Sequence, residues 1–163
     1  HLTPKQLFQH QTIQALATVV GTASHAMADQ NSVTGSLPLT PIQHWFFEQS
    51  LPDLHHWNQA VLLTVHQRLD FTILKQVVQQ LLSHHDALRS RFYQEGNCWK
   101  AVNAELSPDP CVEIDLSELP DTQQNSAMVR AIEQLQASLN LAEGALMRVV
   151  WFNFGADKSS RLL

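Results

Sequence analysis

Behind Asp70, a side chain that caps helices, apolar residues recur at three and four positions: Leu74, Val77, Val78, Leu81 and Leu82, continuing towards Leu88. From Arg91 the pattern changes. Arg91-Phe92-Tyr93-Gln94-Glu95-Gly96-Asn97-Cys98-Trp99-Lys100-Ala101-Val102 sets Glu-Gly-Asn between two aromatic-rich arms, which predicts a hairpin. The remaining segments extend the alternation of element types. Gln59-Ala60-Val61-Leu62-Leu63-Thr64-Val65 is a nearly unbroken apolar run and predicts a mostly buried strand, and Cys111 to Leu116 alternates like another. Asp121 or Thr122 opens a helix carrying Met128, Ile132, Leu135 and Leu139, after which Leu146 to Phe154 returns as a strand. Helix, strand, helix, two or three strands, helix, strand, with no internal repeat, is the order of an α/β sandwich whose helices pack on a mixed sheet.

A small helical segment precedes this body. Thr3 before Pro4 is a helix start, because proline lacks only an N–H that the first turn leaves unpaired. Ile13, Leu16, Ala17 and Val20 then share one helical face, closed by Gly21, and a helix this short needs a partner to be stable. Residues 22–36 hold small and polar side chains without a period and read as a linker. A second Thr-Pro start at Thr40-Pro41 leads into Ile42, Trp45, Phe46 and Phe47, expected to anchor one face against the core. His1 in place of an initiator Met, and an ending in Ser159-Ser160-Arg161-Leu162-Leu163 that resembles the start of an apolar strand, read as a fragment of something longer.

Charge narrows the function classes. Ten Lys and Arg against fifteen Asp and Glu give a net charge of -5, which offers no basic surplus for a phosphate backbone, so nucleic acid is not an expected partner. Apolar runs fall short of a bilayer span, so neither is a membrane. Cys98 and Cys111 have no metal-type spacing, and no signal peptide is visible; the reading is a reduced, cytoplasmic protein.

Few residues invite chemistry. His84-His85-Asp86 suggests a metal site or an acid/base pair, but neighbours on a helix point about 100° apart and cannot easily share an ion, which leaves a role at the helix end or in a pocket lining. His55-His56 before Trp57 reads as a loop ahead of a strand. Arg89 and Arg91 either pair with buried acids or solvate the helix end. There is no phosphate-binding glycine motif, no Gly-x-Ser-x-Gly and no HExxH.

Three segments together resemble parts of a nonribosomal peptide synthetase. Pro41-Ile42-Gln43-His44-Trp45-Phe46 matches the Pro-Ile-Gln-x-Trp-Phe signature at the start of epimerization domains, where ordinary condensation domains usually carry a Ser-x-Ala-Gln-x-Arg type of sequence. His84-His85-Asp86-Ala87-Leu88-Arg89-Ser90-Arg91-Phe92 resembles the second condensation-family motif, Arg-His-Glu-x-Leu-Arg-Thr-x-Phe, with His84 in place of its first Arg. Leu7 to Ala17 is similar to the final helices of a thiolation (peptidyl carrier) domain.

The resemblance implies residues 1–21 as carrier helices, 22–36 as linker and 37–163 as the N-terminal lobe of a chloramphenicol acetyltransferase-like fold. It implies structural or tunnel-lining roles for Pro41, Ile42, Gln43, Trp45, Phe46, His84, His85, Asp86 and Arg89, and no catalytic or metal residue in this chain. The family's His-His-x-x-x-Asp-Gly is absent from the 163 residues, so the chain alone is expected to be inactive. The implied partners are the upstream carrier domain with its aminoacyl or peptidyl thioester, and a C-terminal lobe. Phosphopantetheine enters as a covalent tether on the carrier, with no cofactor bound here. The parent reaction would be inversion of the α-carbon; a peptide-bond-forming condensation domain and a non-catalytic docking or scaffold module are the alternatives. With the motif's Asp absent, Arg89 is expected to turn to solvent or find a substitute carboxylate, and Arg89→Ala to be nearly silent.

Overall fold

The computed structural model describes residues 2–21, 31–105, 109–144 and 146–163. The chain divides into two units, His1–Gln30 and Asn31–Leu163. In the first, α1 (Pro4–Gln9) starts with a reciprocal cap in which the Thr3 hydroxyl accepts from Gln6 N at 3.3 Å and Gln6 Oε1 accepts from Thr3 N at 2.8 Å. The Thr12 hydroxyl accepts from Ala15 N at 3.1 Å to start α2 (Ile13–Val19). Leu16 and Val19 are half-buried, whereas Ile13, Ala17 and Val20 are exposed, so the covered side differs from the face expected of the sequence. Two helices this short cover one narrow stripe between them.

The second unit begins inside the expected linker. Gly35–Leu37 forms strand β1, while residues 22–30 of that linker lie outside the described residues. A short polar stretch can join a sheet when its backbone finds a partner, and here the partner is β4. The further elements are α3 (Pro41–Glu48), β2 (Leu63–Val65), α4 (Phe71–His84), β3 (Ser90–Glu95), β4 (Cys98–Asn103), β5 (Cys111–Asp115), α5 (Asp121–Ala137), β6 (Val149–Asn153) and β7 (Ser160–Leu162).

Two sheets result. One is antiparallel in the order β1-β4-β3, with Phe92 opposite Ala101 and a tight turn at Gly96, whose φ of +61° is the left-handed value that glycine adopts most readily. The other runs β2-β7-β6-β5, antiparallel except for the parallel pair β5 and β6, which α5 connects. Alternation along β6 sends Val150 and Phe152, both fully buried, into a core with Leu116 and Met128, on which Ile132 and Leu135 of α5 also pack. Trp151 points the other way, where its ring stacks on Phe71 of α4 at 6.0 Å. A smaller core holds the first sheet to α3: Phe47 stacks on Trp99 at 4.1 Å and meets Phe92 at 5.4 Å.

Several expectations change. The run from Gln59 to Val65 is a strand only at Leu63–Val65, and Val61, Leu62 and Leu63 are exposed, since β2 lies at the edge of its sheet and borders an open cleft. On α4, Val78 and Leu82 are buried but Val77 and Leu81 face outward with Ile73, leaving a narrower buried stripe than the apolar pattern suggests. On α3, Phe46 and Phe47 anchor the helix, whereas Ile42 and Trp45 are exposed. An apolar residue records a tendency to be covered, and these positions have no covering element among the described residues.

Candidate functional site

Helix α4 ends against an arginine. Asp70 opens the helix by accepting from Thr72 N at 2.8 Å and Ile73 N at 3.3 Å, and a single tight turn, Asp86–Arg89, follows it. The last carbonyls of a helix have no partner within it. Arg89, only 2% exposed, supplies one: its Nη1 donates to Leu82 O and, at 2.9 Å, to Ser83 O. Its Nε donates to Ala104 O at 3.1 Å, and its Nη2 donates to the Ser32 hydroxyl at 2.6 Å and pairs with the Asp86 carboxylate. Asp86 also accepts from Val33 N at 3.2 Å. The Arg89 hydrogen bond, followed by that of Val33, holds the Asp86 carboxyl below its ordinary range. Arg89 thus fastens the helix end, the strand exit at Ala104 and residues 32–33 together. Of its two expected outcomes the carboxylate is realised, but a guanidinium with this many partners is not a side chain whose loss is silent.

His84 and His85 are exposed, with rings edge to face at 4.8 Å. No group of three or more His, Cys, Asp or Glu that could hold a metal ion occurs among the described residues. The six-residue signature on α3 has a local physical meaning at its start, where Thr40 N donates to Gln43 Oε1 at 2.9 Å and Pro41 occupies the first turn. Phe46 meets Phe47 at 5.3 Å and Trp57 at 6.5 Å.

One concave feature lies elsewhere, at Trp57. A cleft of about 440 Å³ is lined by the 57–63 and 139–149 segments and by Leu162 of β7. Trp57, Val61, Leu63, Leu141, Met147 and Leu162 are among its apolar residues, and His55, Asn58, Gln59, Gln136, Asn140 and Arg148 are its polar ones. Asp53 Oδ1 accepts from the backbone of His55 and His56, turning the chain so that His55 Nδ1 accepts from Leu141 N at 3.0 Å. That bond joins the two walls, and in the neutral ring it leaves the proton on Nε2. None of the nine residues singled out from sequence motifs lines this cleft. His55 and Trp57 carried a weak sequence signal, a His-His-Trp ahead of an apolar run; Leu141 and Met147 carried none beyond their hydrophobicity.

The condensation-domain family model matches residues 33–163. The chain belongs to the condensation-domain family. A linear gramicidin synthase protein of Brevibacillus parabrevis is 50% identical over 163 residues, which is 99% of this chain and 2% of that protein. Surfactin synthase subunit 1 of Bacillus subtilis (strain 168) is 37% identical over 170 residues, 99% of this chain and 4% of that one. The condensation-family chain therefore spans only a few per cent of these synthases. Among solved structures, the epimerization domain from the third module of tyrocidine synthetase B superimposes with a TM-score of 0.74 at 34% identity, covering 83% of this chain and 30% of that one. The first condensation domain of the calcium-dependent antibiotic synthetase gives 0.63 at 20% identity, covering 80% and 32%, a likeness of fold alone. The α/β architecture is thus that of part of a condensation-family domain, and no helix among the described residues is long and apolar enough to cross a membrane.

Proposed function

We propose that residues from Asn31 onward form the N-terminal lobe of an epimerization domain in a nonribosomal peptide synthetase, preceded over 1–21 by the last helices of a carrier domain. The observation that carries this reading is the Pro41-Ile42-Gln43-His44-Trp45-Phe46 signature, seated on α3. The tyrocidine synthetase epimerization domain, more alike in sequence and in shape than the condensation domain compared above, supports it.

The reaction in the complete protein is inversion of the α-carbon of an aminoacyl or peptidyl group held as a thioester on the carrier's phosphopantetheine arm. The thioester carbonyl acidifies the α-proton; a positioned base removes it, and a proton delivered to the opposite face completes the inversion. Charge that develops on the carbonyl oxygen requires a donor nearby. No residue of this chain is assigned to either proton transfer. Its residues shape and hold one wall of the space where the thioester lies. The arm is a substrate tether on the carrier, not a group seated in this chain.

Chiral analysis of the amino acid released from a loaded carrier tests the reading. The complete protein converts an L-aminoacyl thioester to a mixture of L and D, while the 163-residue chain leaves it unchanged. Peptide-bond formation without inversion by the complete protein would favour the condensation alternative. Inversion by the 163-residue chain would place a catalytic group where none is assigned.

A further inference from the structure

We infer that Ser32 and Val33 moor the chain that arrives from the carrier side, and that Arg89 and Asp86, which hold them, are positioning residues for delivery of the carrier-bound substrate; the inference rests on the function proposed above. Both moored residues lie at the start of the second unit, which begins at Asn31. Arg89 Nη2 donates to the Ser32 hydroxyl at 2.6 Å and to Val33 O at 3.4 Å, and Val33 N donates to Asp86 Oδ1 at 3.2 Å. The arginine's nitrogens divide between two tasks. Nε and Nη1 bond Ala104 O, Leu82 O and Ser83 O, whereas Nη2 is given to the arriving chain and to Asp86.

Hydrophobic burial does not account for the attachment. Residues 31–36 are all exposed, and β1 adds only three residue pairs with β4. A segment that covers so little apolar surface gains little by leaving water, so what places it is its polar bonds to a guanidinium that is itself buried and held by interior carbonyls. The consequence is mechanical. With the mooring made, the tether to the carrier ends at Ser32; without it, the next residue held by strand pairing is Gly35, and residues 32–34 lengthen the tether by about 10 Å of extended chain. The length of a tether and its point of attachment set the effective concentration of what it carries. A thioester swung from a displaced pivot meets the lobe in fewer productive orientations.

Two measurements test this. In the 163-residue chain, the Val33 amide exchanges more slowly than a free peptide amide, and Asp86→Ala speeds it at least about ten-fold while the Val78 and Leu82 amides of α4 keep their protection. A Val33 amide that exchanges at the free rate in the parent, or at the same rate in the variant, overturns the mooring. In the complete protein, inversion is compared for a substrate on the linked carrier and for one on an added free carrier, with the linked carrier then left unloaded. Ser32→Ala/Val33→Pro removes the hydroxyl acceptor and the N–H donor at two exposed positions. It slows inversion of the linked substrate at least about two-fold and leaves kcat and KM for the free carrier unchanged. Ser32→Ala alone acts in the same direction should the proline variant fail to fold, and Ser32→Thr, which keeps a hydroxyl, behaves as the parent. Equal losses with linked and free carriers, or no loss with either, overturn the inference and leave epimerization standing. A parent protein that inverts neither substrate sinks epimerization, and exchange at Val33 then decides by itself whether the mooring exists.

Discussion

Replacing Arg89 by Ala should cost this chain about 3–5 kcal/mol, the range for removing one partner from a buried charged network. The structure indicates where that cost arises. Asp86 remains one-third exposed, so water can take over much of what the guanidinium gave it. The carbonyls cannot be rescued so easily: Leu82 O is bonded within the interior, and Ser83 O and Ala104 O lie at its margin. A buried acceptor left without a donor costs about 1–3 kcal/mol, and two or three such groups account for the total. Against a domain stability of about 5–15 kcal/mol the variant should remain folded but weakened. At about 2–4 °C per kcal/mol the thermal midpoint should fall by about 6–20 °C. All four tryptophans lie in the unit that contains Arg89, so urea or thermal unfolding followed by tryptophan fluorescence reports on the right part of the chain. Arg89→Lys should recover less than half of the loss, because a single ammonium on a flexible stem cannot span acceptors on both sides of the helix end. A midpoint for Arg89→Ala within about 1 °C of the parent would mean that water replaces the guanidinium, and the staple would have no energetic meaning.

Acid provides a second test at the same place. The folded Asp86 carboxyl lies below its ordinary value of 3.8, so its contribution is complete above that value and is lost as pH falls through the folded one. Asp109, lowered chiefly by its hydrogen bond from Lys75, and Asp115, lowered chiefly by Ser117 N–H, act in the same direction. The urea midpoint should therefore drop below about pH 4, and Asp86→Asn should flatten part of that drop; an unchanged slope would remove Asp86 from the account. Gly144 tests a close approach. Its φ is +89°, and a Cβ there would sit 2.8 Å from Arg91 Nε and 3.1 Å from its Cγ, so Gly144→Ala should cost about 1–3 kcal/mol in a thermal melt. Gly96→Ala, with a φ of +61° and open space around it, carries the backbone penalty alone and should cost less; equal losses would show that Arg91 moves aside freely.

The elements legible in the sequence are those whose signals are local. Asp70 and the period behind it located α4, and Glu95-Gly96-Asn97 located the β3–β4 hairpin, because capping and turn formation act over a few residues. The apolar run at Gln59 to Val65 misled, since a strand covered on both faces and a segment bordering a cleft have the same composition. β1 was hidden for the opposite reason: Gly35-Ser36-Leu37 has little strand character, and its pairing with Ala101, Val102 and Asn103 is decided by a distant partner. The site divides in the same way. Gln43 and Arg89 stood out through sequence motifs, and the structure gives each a definite structural task. The joining of His55 to Leu141 depends on residues far apart in the chain, which no spacing rule connects.

The sheet order also sets a sequence of assembly. Glu95 meets Cys98 across a tight turn, so β3 and β4 can pair while most of the chain is still loose. Leu63 meets Leu162 only after nearly the whole body has been threaded between them, and that loop closure carries its entropic cost before the three-residue strand β2 returns anything. The cleft is built on this late pairing, with Leu63 on one strand and Leu162 on the other. It therefore belongs to the part of the fold that forms last and opens first, and amide exchange at Leu63 and Val65 should report the cleft breathing while the β3–β4 amides stay protected.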